Sequence, residues 1–235
     1  MINVDSILDL TKRVFKESGA LDRRLDVVSY FEYLQLHKTF LQPTSIKIDV
    51  DQFLTEIKTY SNYFEKWGKD FDLPRYGLAL VNQTGVLHTP DRANGSLMEW
   101  NKNNPDQPLL EVDFTKPTPV LNIPSLTPLS VFEGQWYRSN IFKLEKGALF
   151  YPHVDTMIPS PWLRLWATTD PSNTVVRVWD EETKSMKAVD GIEAGRVYLL
   201  DSSLVHDAHS SDTVYQLFLC VSPCSYDTVK RLLWN

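Results

Sequence analysis

Seven short runs of strand-forming residues follow one another through the C-terminal half of the chain. They cover Arg138 to Leu144, Ala148 to His153, Trp162 to Thr168, Thr174 to Trp179, Met186 to Val189, Arg196 to Asp201 and Val214 to Ser222. Turn signals separate each run from the next. A series of this kind predicts an antiparallel sandwich or barrel.

Length and composition bound the organisation of the rest. The chain has 235 residues, of which 43% are hydrophobic, so there is ample material for one buried core. We expect a single domain over residues 1–235, made of three regions. These are a helical region at 1–73, a loop-rich segment at 74–130 and the β core at 131–224.

The charge balance argues against a general nucleic-acid partner. Lys and Arg number 24 against 30 Asp and Glu, which gives a net charge of −6, and no basic stripe is present. No apolar run approaches the length of a membrane span, and the first residues lack a basic-then-apolar targeting signal. We therefore expect a cytoplasmic protein that binds neither nucleic acid nor membrane.

The helical region is predicted from apolar spacing. Apolar residues recur at intervals of three and four between Val4 and Gln42, which predicts two amphipathic helices. A third helix is expected to begin at a cap formed by Asp49 or Asp51 and to end at Gly68. Its apolar stripe consists of Phe53, Ile57, Tyr60, Phe64 and Trp67. We expect this stripe to pack on the outer face of the β core.

The loop-rich segment carries many Pro, Asn and Asp residues. We predict a strand from Tyr76 to Asn82, loops at 88–95 and 101–105, and a short helix near Ser96 to Asn101. A long ordered loop beside a catalytic barrel often serves as a substrate lid, and a plain surface connection is the alternative.

Two histidines and one aspartate have the composition of a metal centre. His153 and Asp155 are two residues apart, so on an extended strand both project to one face. His206 follows 53 residues later, after an apolar run with strand character, where we expect the strand to open into a loop. Two imidazoles and one carboxylate form the facial triad of non-haem Fe(II) oxygenases, which leaves positions open for substrate and O₂. His209 competes with His206, and the local sequence alone does not choose between them.

The flanking residues carry a family resemblance. The segments Leu144 to His153, Leu163-Arg164-Leu165 and Gly195 to His206 resemble the core of the 2-oxoglutarate-dependent aspartyl/asparaginyl β-hydroxylase-like oxygenases, a group that includes proline hydroxylases. The resemblance covers roughly the C-terminal 40% of the chain. It implies a double-stranded β-helix of the jelly-roll or cupin type, here an α+β fold with a mainly β core and helices outside. It also implies Fe(II), 2-oxoglutarate and O₂.

The resemblance carries over residue by residue. His153 and His206 fall on the family's metal histidines, and Asp155 supplies the carboxylate found in proline hydroxylases. His206 is preferred to His209 because Asp201 and His206 reproduce the family's spacing. Arg164 falls on an arginine that helps to hold the oxoacid, although Trp166 replaces the histidine that follows it in the family.

Gln216 is the largest departure from the family pattern. Ten residues after His206, the family has an arginine that pairs with the far carboxylate of 2-oxoglutarate. An amide offers no charge there. Three readings stay open: Arg164, Arg138 or Lys143 supplies the charge; the co-substrate binds weakly; or the protein uses another oxoacid or none.

The function implied by the triad and the resemblance is a hydroxylase. It would oxidise an unactivated C–H of an amino acid or peptidyl residue, of the Asp/Asn or Pro type, and release succinate and CO₂. His153, Asp155 and His206 would hold iron, with Arg164 and Gln216 at the co-substrate. A cupin-like metalloenzyme of another class, a catalytically idle metal-binding module and a β-sandwich interaction domain are the alternatives. Substrate identity and oligomeric state stay open.

Overall fold

The computed structural model describes residues 40–67, 73–87, 97–107, 109, 111–155, 163–202 and 204–221. The two helices predicted before Gln42 and the predicted loop at 88–95 lie outside these residues, apart from Phe40 to Gln42. The strands are β1 Leu41–Lys47, β2 Glu65–Lys66, β3 Arg75–Asn82, β4 Lys116–Pro117, β5 Ser139–Leu144, β6 Leu149–His153, β7 Leu163–Thr168, β8 Thr174–Asp180, β9 Ser185–Ala188, β10 Arg196–Leu200, β11 His206–Ser210 and β12 Val214–Val221. The α-helices are α1 Val50–Ile57 and α2 Leu97–Asn103. Neither helix is long and apolar enough to cross a membrane.

The strands form two antiparallel sheets that face each other. The larger has the order β1-β10-β7-β12-β5-β3-β2, with β4 beside β3, and the smaller has the order β6-β11-β8-β9. Strands β5 to β12 alternate between them except at β8 and β9, which form a hairpin in the smaller sheet, and each sheet takes four of these eight strands. This winding is the jelly roll, and it confirms the predicted double-stranded β-helix core.

The apolar residues divide by strand face. Trp166, Tyr198 and Phe218 from the larger sheet meet Val176 and Ala208 from the smaller one, so these side chains fill the space between the sheets. The alternate residues of β7 and β12 instead pack with α1 on the outer face. We call these two sides the inner and outer faces.

Seven of the eight core strands lie where the sequence predicts them, within one residue at each end. The exception is β11, where the sequence predicts that the preceding strand opens into a loop at His206. Its sequence, His-Asp-Ala-His-Ser, contains one apolar residue and therefore lacks the alternation on which strand prediction depends. The strand is nevertheless central, because it pairs with β6 on one side and β8 on the other.

Helix α1 packs on the outer face as predicted. Asp49 caps it, since the carboxylate accepts a 3.0 Å hydrogen bond from the backbone N–H of Gln52. Phe53 is buried, and its ring meets Tyr215 of β12 edge-on at 6.1 Å. The predicted stripe is too long, however. The α-helix ends at Ile57, a 3-10 helix follows over residues 58–63, and Trp67 packs instead on Phe142, 4.7 Å away.

Two segments differ from the sequence reading. Strand β1 lies in the region predicted to be helical, and it pairs with β10 at the edge of the larger sheet. Helix α2 continues to Asn103, so it enters the predicted loop at 101–105. Part of the loop-rich segment covers the outer face, because 3-10 turns at Pro119–Asn122 and Pro124–Phe132 place apolar residues there. These residues are Val120, Leu126, Leu129 and Phe132.

Gly195 is expected to tolerate no side chain. Its φ is +71°, and an added Cβ would lie 2.3 Å from the carbonyl oxygen of Ile48. Gly191 has a similar φ of +74° with nothing within 4 Å of its Cβ position, so it is the matched control. We expect Gly191→Ala to lower the free energy of unfolding by about 1–2 kcal/mol through backbone strain alone. Gly195→Ala should cost clearly more, and equal losses in urea denaturation would contradict the contact with Ile48.

Candidate metal centre

A β-bulge aims His153 into the barrel. In the pairing of β6 with β11, Ala208 lies opposite Phe150 and His206 lies opposite His153. An advance of three residues along β6 therefore corresponds to two residues along β11. Pro152 lies inside this bulge, a position that requires no ladder N–H. Because the extra residue shifts the alternation of side chains along β6, Phe150 and His153 both face inward, whereas Tyr151 between them is 49% exposed.

Strand alternation separates the two candidate histidines of β11. Ala208 lies in the inner core, so His206, two residues before it, shares its face. The His206 ring lies 4.5 Å from the ring of His153. Asp207 and His209 fall on the opposite face, where Asp207 accepts two hydrogen bonds from Arg177, at 2.9 and 2.6 Å. The structure therefore brings His206 to His153 and turns His209 away.

Asp155 completes the group. Strand β6 ends at His153, as predicted, so alternation along the strand does not by itself place Asp155. A 2.9 Å hydrogen bond from the Asp155 N–H to the carbonyl of Ser202 holds the aspartate in place instead. Its Oδ1 lies 3.2 Å from His153 Nε2 and its Oδ2 lies 3.6 Å from His206 Nε2. One ligand atom from each residue lies within 4.8 Å of the others, which fits a single metal ion.

Backbone carbonyls orient both imidazoles. His153 Nδ1 lies 2.6 Å from the carbonyl oxygen of Tyr151, and His206 Nδ1 lies 2.8 Å from that of Leu204. A carbonyl only accepts, so each Nδ1 carries a proton, and Nε2 is the atom of each ring that would bind a metal ion. This is the usual arrangement of metal-binding histidines.

The charges at the centre suit a divalent cation. Burial by itself would raise the pKa of Asp155, but hydrogen bonds from His153 and His206 hold that pKa well below its ordinary value. Burial lowers the pKa of His153, and the hydrogen bond and charge of Asp155 outweigh it and leave that pKa raised. Two imidazoles and an ionised carboxylate form the donor set. The His153 side chain keeps 36% exposure, so the centre opens to solvent at the barrel mouth.

Arg164 lies at the same end of the barrel, in a buried ion cluster. Its Nη1 donates to Glu111 Oε2 at 2.8 Å, and Arg138 Nη1 lies 3.7 Å from Glu111 Oε1. Burial would lower the pKa of Arg164, but the charges of Glu111 and Asp155 raise it. The sequence reading missed Glu111, because its partner is 53 residues distant and no local pattern marks it. Arg138 and Arg164 therefore already have a carboxylate partner within the protein.

Gln216 lies at the end of the barrel opposite to the candidate metal centre. It pairs in register with Thr168, whereas Arg164 pairs with Cys220, four residues farther along β12. At the rise of a strand, four residues correspond to roughly 13 Å. The structure thus does not bring Arg164 and Gln216 together. The predicted contact of each with a co-substrate stays a prediction.

Lys143, another candidate for the missing charge, belongs to the outer face. Its Nζ lies 2.6 Å from Glu145 Oε1, and its charge also interacts with Tyr76 and Tyr215. Arg138 belongs to the ion cluster at the metal end. The residues present therefore fit a divalent metal ion, but the position of Gln216 does not fit the far carboxylate of 2-oxoglutarate, because that position carries no charge.

Comparisons with known proteins do not show which family the chain belongs to. No protein-family model and no curated protein matches it. Among solved structures, a prolyl-4-hydroxylase of Pseudomonas putida is similar with a TM-score of 0.43 and 10% identity, over 88% of this chain and 98% of that one. A 2OG-Fe(II) oxygenase family oxidoreductase of Burkholderia pseudomallei gives 0.36 and 10%, over 73% and 81%.

An oxalate oxidase in complex with glycolate gives a TM-score of 0.33 and 11% identity. The match covers 68% of this chain and spans 57% of that enzyme. At such scores these likenesses carry no argument about activity. The assignment of the fold depends on the strand order, and that of the candidate site on the three converging side chains.

Proposed function

We propose that the protein is an Fe(II)-dependent oxygenase that uses a 2-oxoacid and O₂ to hydroxylate an unactivated C–H. The observation that carries the proposal is the His153, Asp155 and His206 group at the mouth of a jelly-roll barrel. Three protein ligands on one side of an ion leave positions for co-substrate and O₂. The substrate class we propose is an amino acid or a peptidyl residue, of the Asp/Asn or Pro type, and the resemblance makes 2-oxoglutarate the reference co-substrate.

When bound, the metal and the 2-oxoacid supply the oxidising chemistry. The atoms balance as follows: one oxygen of O₂ enters the hydroxylated product, and the other enters the acid that remains after the 2-oxoacid loses CO₂. The protein holds the ligand atoms in place. The carbonyls of Tyr151 and Leu204 fix the two rings, and Ser202 fixes the aspartate.

The surroundings of the site add apolar shielding. The ring of Phe40 lies 5.3 Å from that of His206, and the ring of Phe150 lies 6.3 Å from that of His153. These rings restrict water on the inner side of the ligands. We infer a cytoplasmic protein with a small-molecule or peptidyl substrate and without a membrane partner. The net charge of −6 argues against a nucleic-acid partner.

A second candidate is a metal-binding protein of another class, either a cupin-like enzyme or a catalytically idle module. The neutral side chain of Gln216 is the observation that favours it. Anaerobic titration of the metal-free protein with Fe(II), followed by 2-oxoacids, separates the candidates. The proposed function predicts a weak visible metal-to-ligand charge-transfer band on addition of a 2-oxoacid. Iron binding without such a band, for every 2-oxoacid tried, would favour the second candidate.

A further inference from the structure

The two departures from the family pattern contact each other. Trp166 of β7 and Gln216 of β12 both project from the inner face, and the indole Nε1 donates to Gln216 Oε1 at 3.3 Å. The indole only donates, so this bond fixes which end of the amide faces it. Gln216 Nε2 therefore points elsewhere, and it is buried with no acceptor among the described residues. A large neutral ring and an amide therefore lie in contact where the family that the sequence resembles has an imidazole and a guanidinium.

Two buried threonine hydroxyls lie at the same end of the barrel as this pair. Thr168 lies beside Gln216 in register, and its hydroxyl is 3.0 Å from that of Thr174. Both threonines and Gln216 are buried. We call these side chains, together with Trp166, the barrel floor.

The cations near the barrel already contact other groups of the protein. Among the described residues, Arg164 and Arg138 contact Glu111, Lys143 contacts Glu145, and Arg196 contacts Glu193. Arg75 donates to the carbonyls of Trp67 and Leu149 and lies over the ring of Phe150. A carboxylate placed on the floor would lose its hydration and gain a single amide donor in return, which is unfavourable.

We propose that the barrel floor selects a co-substrate with an uncharged tail, so that the protein prefers 2-oxo monocarboxylic acids to dicarboxylic 2-oxoglutarate. The inference rests on the proposed function and names its co-substrate class. The acid group and the keto group still bind at the metal end. The tail extends toward Trp166 and Gln216, where Nε2 can donate to a neutral oxygen or the indole can pack on an alkyl chain.

A matched pair of ligands tests the selection. 2-Oxoglutarate and 2-oxopentanoate share a five-carbon chain and differ in the far carboxylate. Each is titrated anaerobically into the full-length protein loaded with Fe(II), and the charge-transfer band gives its dissociation constant. We expect 2-oxopentanoate to bind about tenfold or more tightly than 2-oxoglutarate. The double variant Trp166→His with Gln216→Arg should reverse the preference.

The outcomes separate the two proposals. Tighter or equal binding of 2-oxoglutarate by the unaltered protein overturns the floor as a selector and leaves the oxygenase proposal standing. Loss of that binding in Arg75→Gln would then identify Arg75 as the cation that holds the far carboxylate. If the protein has bound iron and neither 2-oxoacid produces the charge-transfer band, the proposed function itself is overturned. If the double variant fails to fold, the comparison on the unaltered protein still decides.

Discussion

Replacing His206 with alanine is expected to abolish tight binding of a divalent metal, whereas replacing His209 should leave it unchanged. The His206 Nε2 faces Asp155 and His153, so its removal leaves two ligands of three. Loss of a residue that hydrogen-bonds to a metal ligand lowers metal affinity about 10–100-fold, and loss of a ligand itself should lower it further. Alternation along β11 places His209 on the outer face, away from the other two ligands.

The measurement is calorimetric titration of metal-free protein with Fe(II) under anaerobic conditions. The His209→Ala variant is the matched control, because it removes the same side chain from the same strand. Both variants are first compared by thermal melting, so that loss of binding is not confused with loss of the fold. Abolished binding in His209→Ala, with binding intact in His206→Ala, would falsify the assignment of the metal centre.

Removing the carboxylate of Glu111 is expected to be the most destabilising single change to a charged residue of the core. Glu111 contacts two guanidinium groups whose side chains are 3% and 6% exposed, those of Arg164 and Arg138. Burial already lowers the pKa of Arg138, and the charge of Glu111 opposes that shift. Without Glu111 both cations stay buried and repel each other. Breaking a buried pair of this kind costs about 3–5 kcal/mol.

Glu111→Gln keeps the shape of the side chain and removes its charge, so it isolates the electrostatic part. Glu193 provides the control, because it also contacts two cations, Lys47 and Arg196, but is 53% exposed. Glu193→Gln should change the free energy of unfolding by less than about 1 kcal/mol. Urea denaturation of the two variants gives the comparison. Similar small losses would show that Glu111 does not hold the cluster together.

The sequence anticipated much of the fold because strand alternation is a local property. Seven core strands and β3 carry enough apolar residues to be recognised one by one. Strand β11 was missed for the opposite reason. Its polar residues are satisfied by partners on other strands, as Asp207 is by Arg177 of β8, and such partners are invisible to a local pattern.

The candidate site could likewise be predicted only in part from the sequence. The sequence reading named His153, Asp155 and His206 from residue type and spacing, and the structure brings these three together. Their spacing alone did not choose between His206 and His209, whereas strand register places them on opposite faces. Glu111 was missed because nothing in its own segment indicates that two arginines from β7 and the start of β5 converge on it.

By itself, the sequence determined the barrel class, the residue types of the candidate metal centre and the absence of a charge at Gln216. Those properties depend on residue identity and on short-range periodicity. Only the tertiary structure decided that Arg164 contacts Glu111 and that Trp166 donates to Gln216. The second contact joins residues 50 positions apart on neighbouring strands. Register between strands depends on the packing of the whole sheet, and that packing determines which side chains meet.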